Sequence, residues 1–215
     1  IDGWQSILQS AARDESPLVR AEAVKAAICF PKYPASEVIL EVASRPVDPE
    51  LNTVIRYAAN EIDIESLLKE MILSGTRLSP TARKYALQNM AVEDLLKLPL
   101  DQEICRTILN RKNATAKELT LTLSELARLT NRNSLDLLLE LLTDEPSQSS
   151  VHVFGLGELL ANYSSEELAL FNNQLQNMAT KGATAEIKSL GYAAWIIADR
   201  SGDNAFLAAS NNNQE

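Results

Sequence analysis

The sequence predicts an all-α chain whose antiparallel helix pairs stack as an α-solenoid. Three observations lead there. The first is composition: 215 residues, 46% apolar and 5% aromatic, with only seven glycines and eight prolines, are too poor in turn-formers and β-favouring side chains for a sandwich of short strands. The second is the placement of the prolines. Pro17, Pro31, Pro34, Pro46, Pro49, Pro80, Pro99 and Pro146 all fall between helical apolar patterns, where a ring without a backbone donor costs least. The third is a recurring basic residue in the second helix of successive pairs.

Taken in order, the apolar spacing predicts helices over 4–13 and 17–29, 36–44 and 49–62, 64–74 and 80–90, 91–98 and 101–111. Helices over 116–130 and 134–143, 148–161 and 165–180, and 184–199 with a short 203–210 complete the set. Ser16-Pro17, Asp48-Pro49 and Ser79-Pro80 each place a capping oxygen before a proline at the first helical position. Thr115-x-x-Glu118 and Ser164-x-x-Glu167 have capping-box form, in which the first side chain accepts an orphan amide and the glutamate accepts the reciprocal one. Connections are short, so sequential helices should pack antiparallel.

Superimposing second helices exposes the repeat. Pro17-Leu-Val-Arg20-Ala-Glu-Ala23, Thr53-Val-Ile-Arg56-Tyr-Ala-Ala59 and Pro80-Thr-Ala-Arg83-Lys-Tyr-Ala86 share a basic residue followed three positions later by a small one. Glu103-Ile-Cys-Arg106-Thr-Ile-Leu109 and Ala185-Glu-Ile-Lys188-Ser-Leu-Gly191 follow more weakly. A single helix pair cannot bury its apolar face, so such units should stack on their neighbours. The expectation is one repeat domain over 1–210, clearest over 1–112 and divergent over 113–210, with a polar tail at 211–215. The opening Ile1-Asp2-Gly3-Trp4, without Met or a signal-peptide pattern, reads as a segment of something longer.

Asp14-Glu-Ser-Pro17-Leu-Val-Arg20-Ala-Glu-Ala-Val24, and Asp48-Pro49 leading to Arg56, resemble the HEAT-repeat family. The resemblance implies an Asp in the turn and an Arg or Lys in the second helix, linking adjacent repeats as a ladder. It would use Asp14, Arg20, Asp48, Arg56, Arg83 and Arg106. A narrower resemblance covers Asp48 to Ala59 and Gly191-Tyr-Ala-Ala-Trp-Ile-Ile-Ala-Asp-Arg-Ser-Gly-Asp203. These look like the HEAT segment of large exported bacterial proteins in which a sugar-dehydrogenase-like propeller precedes the repeats and a c-type cytochrome domain follows. That resemblance implies an exported or periplasmic setting. The haem attachment motif Cys-x-x-Cys-His is absent from this chain, so any haem would belong to a neighbouring domain.

Chemistry-bearing constellations are sparse. His152, the one histidine, lacks the Cys or His neighbours of a zinc site and the activated Ser or Cys of a nucleophilic arrangement, and reads as a helix residue. Cys29 and Cys105 lie on apolar helical patterns and read as small buried hydrophobes rather than as a disulfide or metal pair. Gly155-Leu-Gly157 lacks the strand and third glycine of a phosphate loop; with Gly191 it reads as a mark of close helix crossings. The adjacent acids Glu93-Asp94, Asp144-Glu145 and Glu166-Glu167 complement positive helix starts. Asn113-Ala-Thr115 and Asn162-Tyr-Ser164 match the short glycosylation acceptor pattern. Trp4 and Trp195 should pack within terminal repeats.

Twenty basic against 29 acidic side chains give a net charge of −9, which counts against a polyanion such as nucleic acid as partner. The excess is uneven: 14 basic and 16 acidic residues over 1–112, then 6 and 13 over 113–215. A charge-steered partner of the second half should therefore be basic. Lys25, Glu61, Gln88 and Arg111, five positions after each anchor, should face away from the packed seam and meet a partner. No 18-residue apolar run is present to span a membrane. The expected function is a noncatalytic scaffold or protein-interaction module, without cofactor or metal. Two alternatives stay open: an accessory domain docking propeller and cytochrome modules in a redox enzyme, and a HEAT-like enzyme acting on DNA or a small molecule.

Overall fold

The computed structural model describes residues 3–143 and 155–212. Every regular element among them is helical: α1 (Trp4–Ala12), α2 (Pro17–Ala27), α3 (Lys32–Ala43), α4 (Pro49–Ile62), α5 (Ile64–Leu73), α6 (Pro80–Asn89) and α7 (Val92–Leu95). There follow α8 (Gln102–Leu109), α9 (Ala116–Thr130), α10 (Ser134–Thr143), a 3₁₀ turn (Glu158–Asn162), α11 (Ser165–Ala169), α12 (Asn172–Lys181), α13 (Ala185–Asp199) and α14 (Asp203–Asn212). The chain divides into two compact units, residues 1–98 and 99–215.

In the first unit α1 packs on α2 and α3, α2 on α3 and α4, and α3 on α4, α5 and α6, with α5 also against α4 and α6. The seams are lined by small residues, Ala12, Ala23, Ala27, Ala35, Ala58 and Ala82, between Ile39, Leu51, Ile64, Leu68 and Leu87, all buried. Arg13 Nε donates to Glu41 Oε1 at 3.0 Å and ties the end of α1 to α3. Ser79 Oγ donates to Glu37 Oε2 at 2.6 Å and accepts from Ala82 N, so the cap of α6 is also its attachment to α3.

In the second unit α9 packs on α8 and α10, α10 on α12, and α13 on α11, α12 and α14. Leu119, Leu126, Leu135, Leu138, Leu156, Leu168 and Leu175 form the centre of its core, with Trp195 and Cys105 also buried. Gly191 lets α12 and α13 touch backbone to backbone: a Cβ there would lie 2.4 Å from Ala179 N and 2.7 Å from Ala179 Cα. At Gly157 a Cβ would meet Leu190 Cδ1 at 2.5 Å.

Capping signals locate most starts. Asp48 accepts from Leu51 N, Ser79 from Ala82 N, and both capping boxes, Thr115 with Glu118 and Ser164 with Glu167, are formed reciprocally. Ser16 departs from expectation. Its side chain makes no cap bond, and its amide instead donates to Asp14 Oδ1 at 2.8 Å. Helix α3 begins at Lys32 rather than 36 and carries Pro34 in its first turn, because the first four amides of a helix have no intrahelical acceptor to lose. The helix expected over 91–98 closes at Leu95, and the chain turns over residues 96–98 into Pro99, which disfavours helical geometry at Leu98 alone. The helix expected over 165–180 breaks at Leu170 and Phe171. Leu170 is left exposed while Leu168, Phe171 and Leu175 turn into the core, and both pieces, α11 and α12, rest on α13. Of the helix expected over 148–161, only the end lies among the described residues: 155–157 are helical and then tighten to 3₁₀.

Candidate functional site

The basic anchors do not share one environment. Arg20 is buried, and its Nη1 donates to Pro46 O at 2.9 Å, linking α2 to the connection between α3 and α4; its Nε is buried without a hydrogen-bond partner. Arg56 is exposed, Arg83 half-buried, and Arg106 exposed with Nη2 3.8 Å from Glu140 Oε1. Asp14 and Asp48 accept amides of their own segments, from Ser16 and Leu51. The position three residues after each anchor is more uniform: Ala23, Ala86, Leu109 and Gly191 are buried and Ala59 half-buried. Lys25, Glu61 and Gln88 are exposed, with Lys25 Nζ 2.7 Å from Glu22, whereas Arg111 is half-buried.

The two cysteines part company. Cys105 is buried, as expected, and burial pushes its thiol up to about 11. Cys29 is exposed, a correction with a simple cause: α2 ends at Ala27 and Cys29 sits in the turn ahead of Pro31. Asp94, expected only to complement a helix start, also joins Lys69 at 2.5 Å and Lys97 at 2.8 Å, and these two ammonium groups hold its carboxyl below the usual range. Glu166 pairs with Arg200. His152, Asp144-Glu145 and Pro146 lie outside the described residues. Among the described residues, no group of three His, Cys, Asp or Glu side chains is placed to hold a metal ion.

A concave site lined by none of the site residues expected from the sequence opens in the second unit between α10, α12 and the start of α13, with a volume of about 530 Å³. Asn131, left-handed at φ 53°, ends α9; Asn133 Oδ1 then accepts from Leu135 N to start α10. Between them this turn lays Arg132 along the first turns of α10. Its Nε and Nη2 meet Asp136 Oδ2 at 3.1 and 2.5 Å, and its Nη1 meets Glu140 Oε2 at 2.5 Å. The guanidinium holds the Asp136 carboxyl below its ordinary value against the opposing effect of burial, and the two carboxylates raise the Arg132 pKa in turn.

The walls of the cleft are two helical stripes of the same spacing: Asp136, Leu139, Glu140 and Thr143 on α10, and Gln174, Asn177, Met178 and Lys181 on α12. Leu139, Met178 and Ile187 form a buried floor. Gln174 Nε2 reaches Asp136 Oδ1 at 3.4 Å, which sets the two stripes side by side at their N-terminal ends. At the other end the chain turns through Gly182 and Ala183 to Thr184, whose Oγ1 accepts from Ile187 N to start α13. Within the same unit a second, apolar groove of about 710 Å³ runs between α13 and α14, lined by Tyr192, Ile196, Phe206 and Leu207 among others.

The acidic half of the cleft carried a readable signal, Arg132, Asp136 and Glu140 at spacings of four. The amide wall carried none, because Gln174 and Asn177 are ordinary polar residues until α12 is set beside α10. No helix of the described residues is long and apolar enough to cross a membrane. No protein-family model, curated protein or solved structure matches the chain.

Proposed function

We propose that this chain is a HEAT-like α-solenoid module that engages a protein partner, or neighbouring domains of its own polypeptide, through exposed helix faces and performs no chemistry itself. The observation that carries the reading is the nearest-neighbour packing within residues 1–98. There α1 rests on α3 and α3 on α5, while α2 rests on α4, the neighbour pattern that two stacked helical layers would give, with α6 resting on α3 and α5. Such a layered stack leaves one face of each helix to solvent. On α2 and α4 that face holds Leu18, Val19 and Tyr57 beside Lys25, Arg56 and Glu61, a mixture suited to a protein surface.

The reading is tested with a photo-crosslinking residue placed singly at Lys25 and Glu61 in the native host. The expected result is a discrete adduct with a protein at one or both positions. Adducts at neither position, together with turnover of a small-molecule or DNA substrate by the purified chain, would favour an enzyme instead.

A further inference from the structure

The cleft between α10 and α12 has a chemistry more specific than a general contact surface, and assigning it an occupant rests on the proposed interaction function. Each wall runs from its first to its last lining residue in seven residue steps, 136 to 143 on α10 and 174 to 181 on α12. At about 1.5 Å per residue this is a trough roughly 10 Å long, which an extended polypeptide covers with about three or four residues. The floor side chains are already buried, while apolar surface remains along the lining, so apolar contact can add to binding and the polar walls supply its specificity.

Those walls are ordered. Gln174 and Asn177, both exposed and one turn apart, present carboxamides that donate and accept, as the N–H and C=O groups of an extended main chain require. One end of the trough is acidic. Asp136 and Glu140 grip the Arg132 guanidinium between them, which leaves one negative charge in excess at this end; among the described residues Asp136 Oδ1 has the long 3.4 Å contact from Gln174 and Glu140 Oε1 lies 3.8 Å from Arg106 Nη2, so each carboxylate has acceptor sites to spare. The other end is cationic, with the exposed Lys181 two turns along α12 from Gln174. The acid excess of residues 113–215 steers a basic segment toward this unit.

We infer that the cleft between α10 and α12 binds an extended polypeptide segment, with a lysine or arginine of the segment at Asp136 and Glu140 and a carboxylate side chain two to four residues away at Lys181. The main chain between them lies along Gln174 and Asn177.

The test uses the whole chain and an array of acetylated, amidated peptides carrying Lys or Arg and Asp or Glu at separations of two to four residues in both orders. Neutralised and scrambled peptides serve as controls, and affinity is read by fluorescence anisotropy. Peptides with both charges in one order should bind tightest. Neutralising either charge should weaken binding about two- to fivefold, the factor set by one partly exposed ion pair. Lys181→Glu, at an exposed position, should abolish the preference for the acidic residue; Asp136→Asn should weaken only the response to the basic one, with helicity by circular dichroism unchanged in both. Affinities that do not depend on either charge, or a preference that Lys181→Glu leaves intact, overturn the inference. So does binding of free amino acids without binding of capped peptides, which would place a small zwitterion in the cleft. If the peptides fail while adducts at Lys25 or Glu61 persist, the cleft assignment falls and the interaction reading stands; if both fail, both fall.

Discussion

Gly191 shows how one missing side chain governs a helix contact. Its neighbours at the α12 crossing are the backbone atoms of Met178 and Ala179, which cannot move aside as a flexible side chain would. Gly191→Ala gains about 1 kcal/mol of helix propensity but forces α12 and α13 apart, an overpacking cost of about 1–3 kcal/mol or more. Urea denaturation should therefore show a lower midpoint for Gly191→Ala and no loss for Gly202→Ala, where an added Cβ meets nothing within 4 Å. Equal stability of the two variants would refute the close crossing. Cys29 is exposed and Cys105 buried with a raised thiol pKa, so a thiol reagent near pH 8 should label one cysteine in the native chain and two in denaturant. Labelling should disappear in native Cys29→Ser and persist in Cys105→Ser; rapid native labelling of Cys105 would contradict its burial.

Helix starts were legible from sequence because their causes are local. Asp48 before Pro49, Ser79 before Pro80 and the boxes at Thr115 and Ser164 each satisfy orphan amides within four residues, and α4, α9 and α10 have the expected limits. The break at Leu170 was not legible, since no glycine or proline marks it and only packing of α11 and α12 on α13 demands it. The cleft follows the same rule: Arg132, Asp136 and Glu140 belong to one segment, but the amides facing them come from another. At this scale Asp199, near the end of α13, joins three helices. It accepts from Asn172 Nδ2 at 2.8 Å at the start of α12, from Trp195 Nε1 at 2.8 Å within α13, and from Asn204 Nδ2 at 3.1 Å at the start of α14. Asp199→Ala leaves three donors without their acceptor; the Trp195 indole is buried, Asn172 half-buried and Asn204 exposed, so the cost should lie near the low end of the range, about 1–3 kcal/mol, lost by buried polar groups left unpaired. Trp195 fluorescence should report the loss as a lower urea midpoint, and an unchanged midpoint would show that water serves these donors equally well.

Acid unfolding is a property of the whole molecule. The carboxyls of Asp94, Glu125, Asp136, Glu167 and Asp199 are all held below their ordinary values, by Lys69 and Lys97, by Arg128, by Arg132, by the Ser164 amide and hydroxyl, and by the amide of Asn204 with Asn172 and Trp195. A group whose native pKa is depressed binds fewer protons folded than unfolded. Its stabilisation is complete above the unfolded carboxylate range near pH 4 and is lost as pH falls below that range through the native value. Four of the five belong to residues 99–215 and one, Asp94, to residues 1–98. The cations left behind on full protonation are nearly balanced, 11 Lys and Arg in the first unit against 9 plus His152 in the second, so their repulsion does not separate the two. The second unit should therefore lose more stability per pH unit below about pH 4. Each unit carries one tryptophan: Trp4, stacked on Phe30 at 3.9 Å between ring centres, and Trp195, buried against the core of the second. In Trp4→Phe, the remaining Trp195 signal should change at a higher pH than the Trp4 signal does in Trp195→Phe. Coincident transitions would mean that the two units unfold as one cooperative body, and the opposite order would mean that these depressed carboxyls do not govern acid stability.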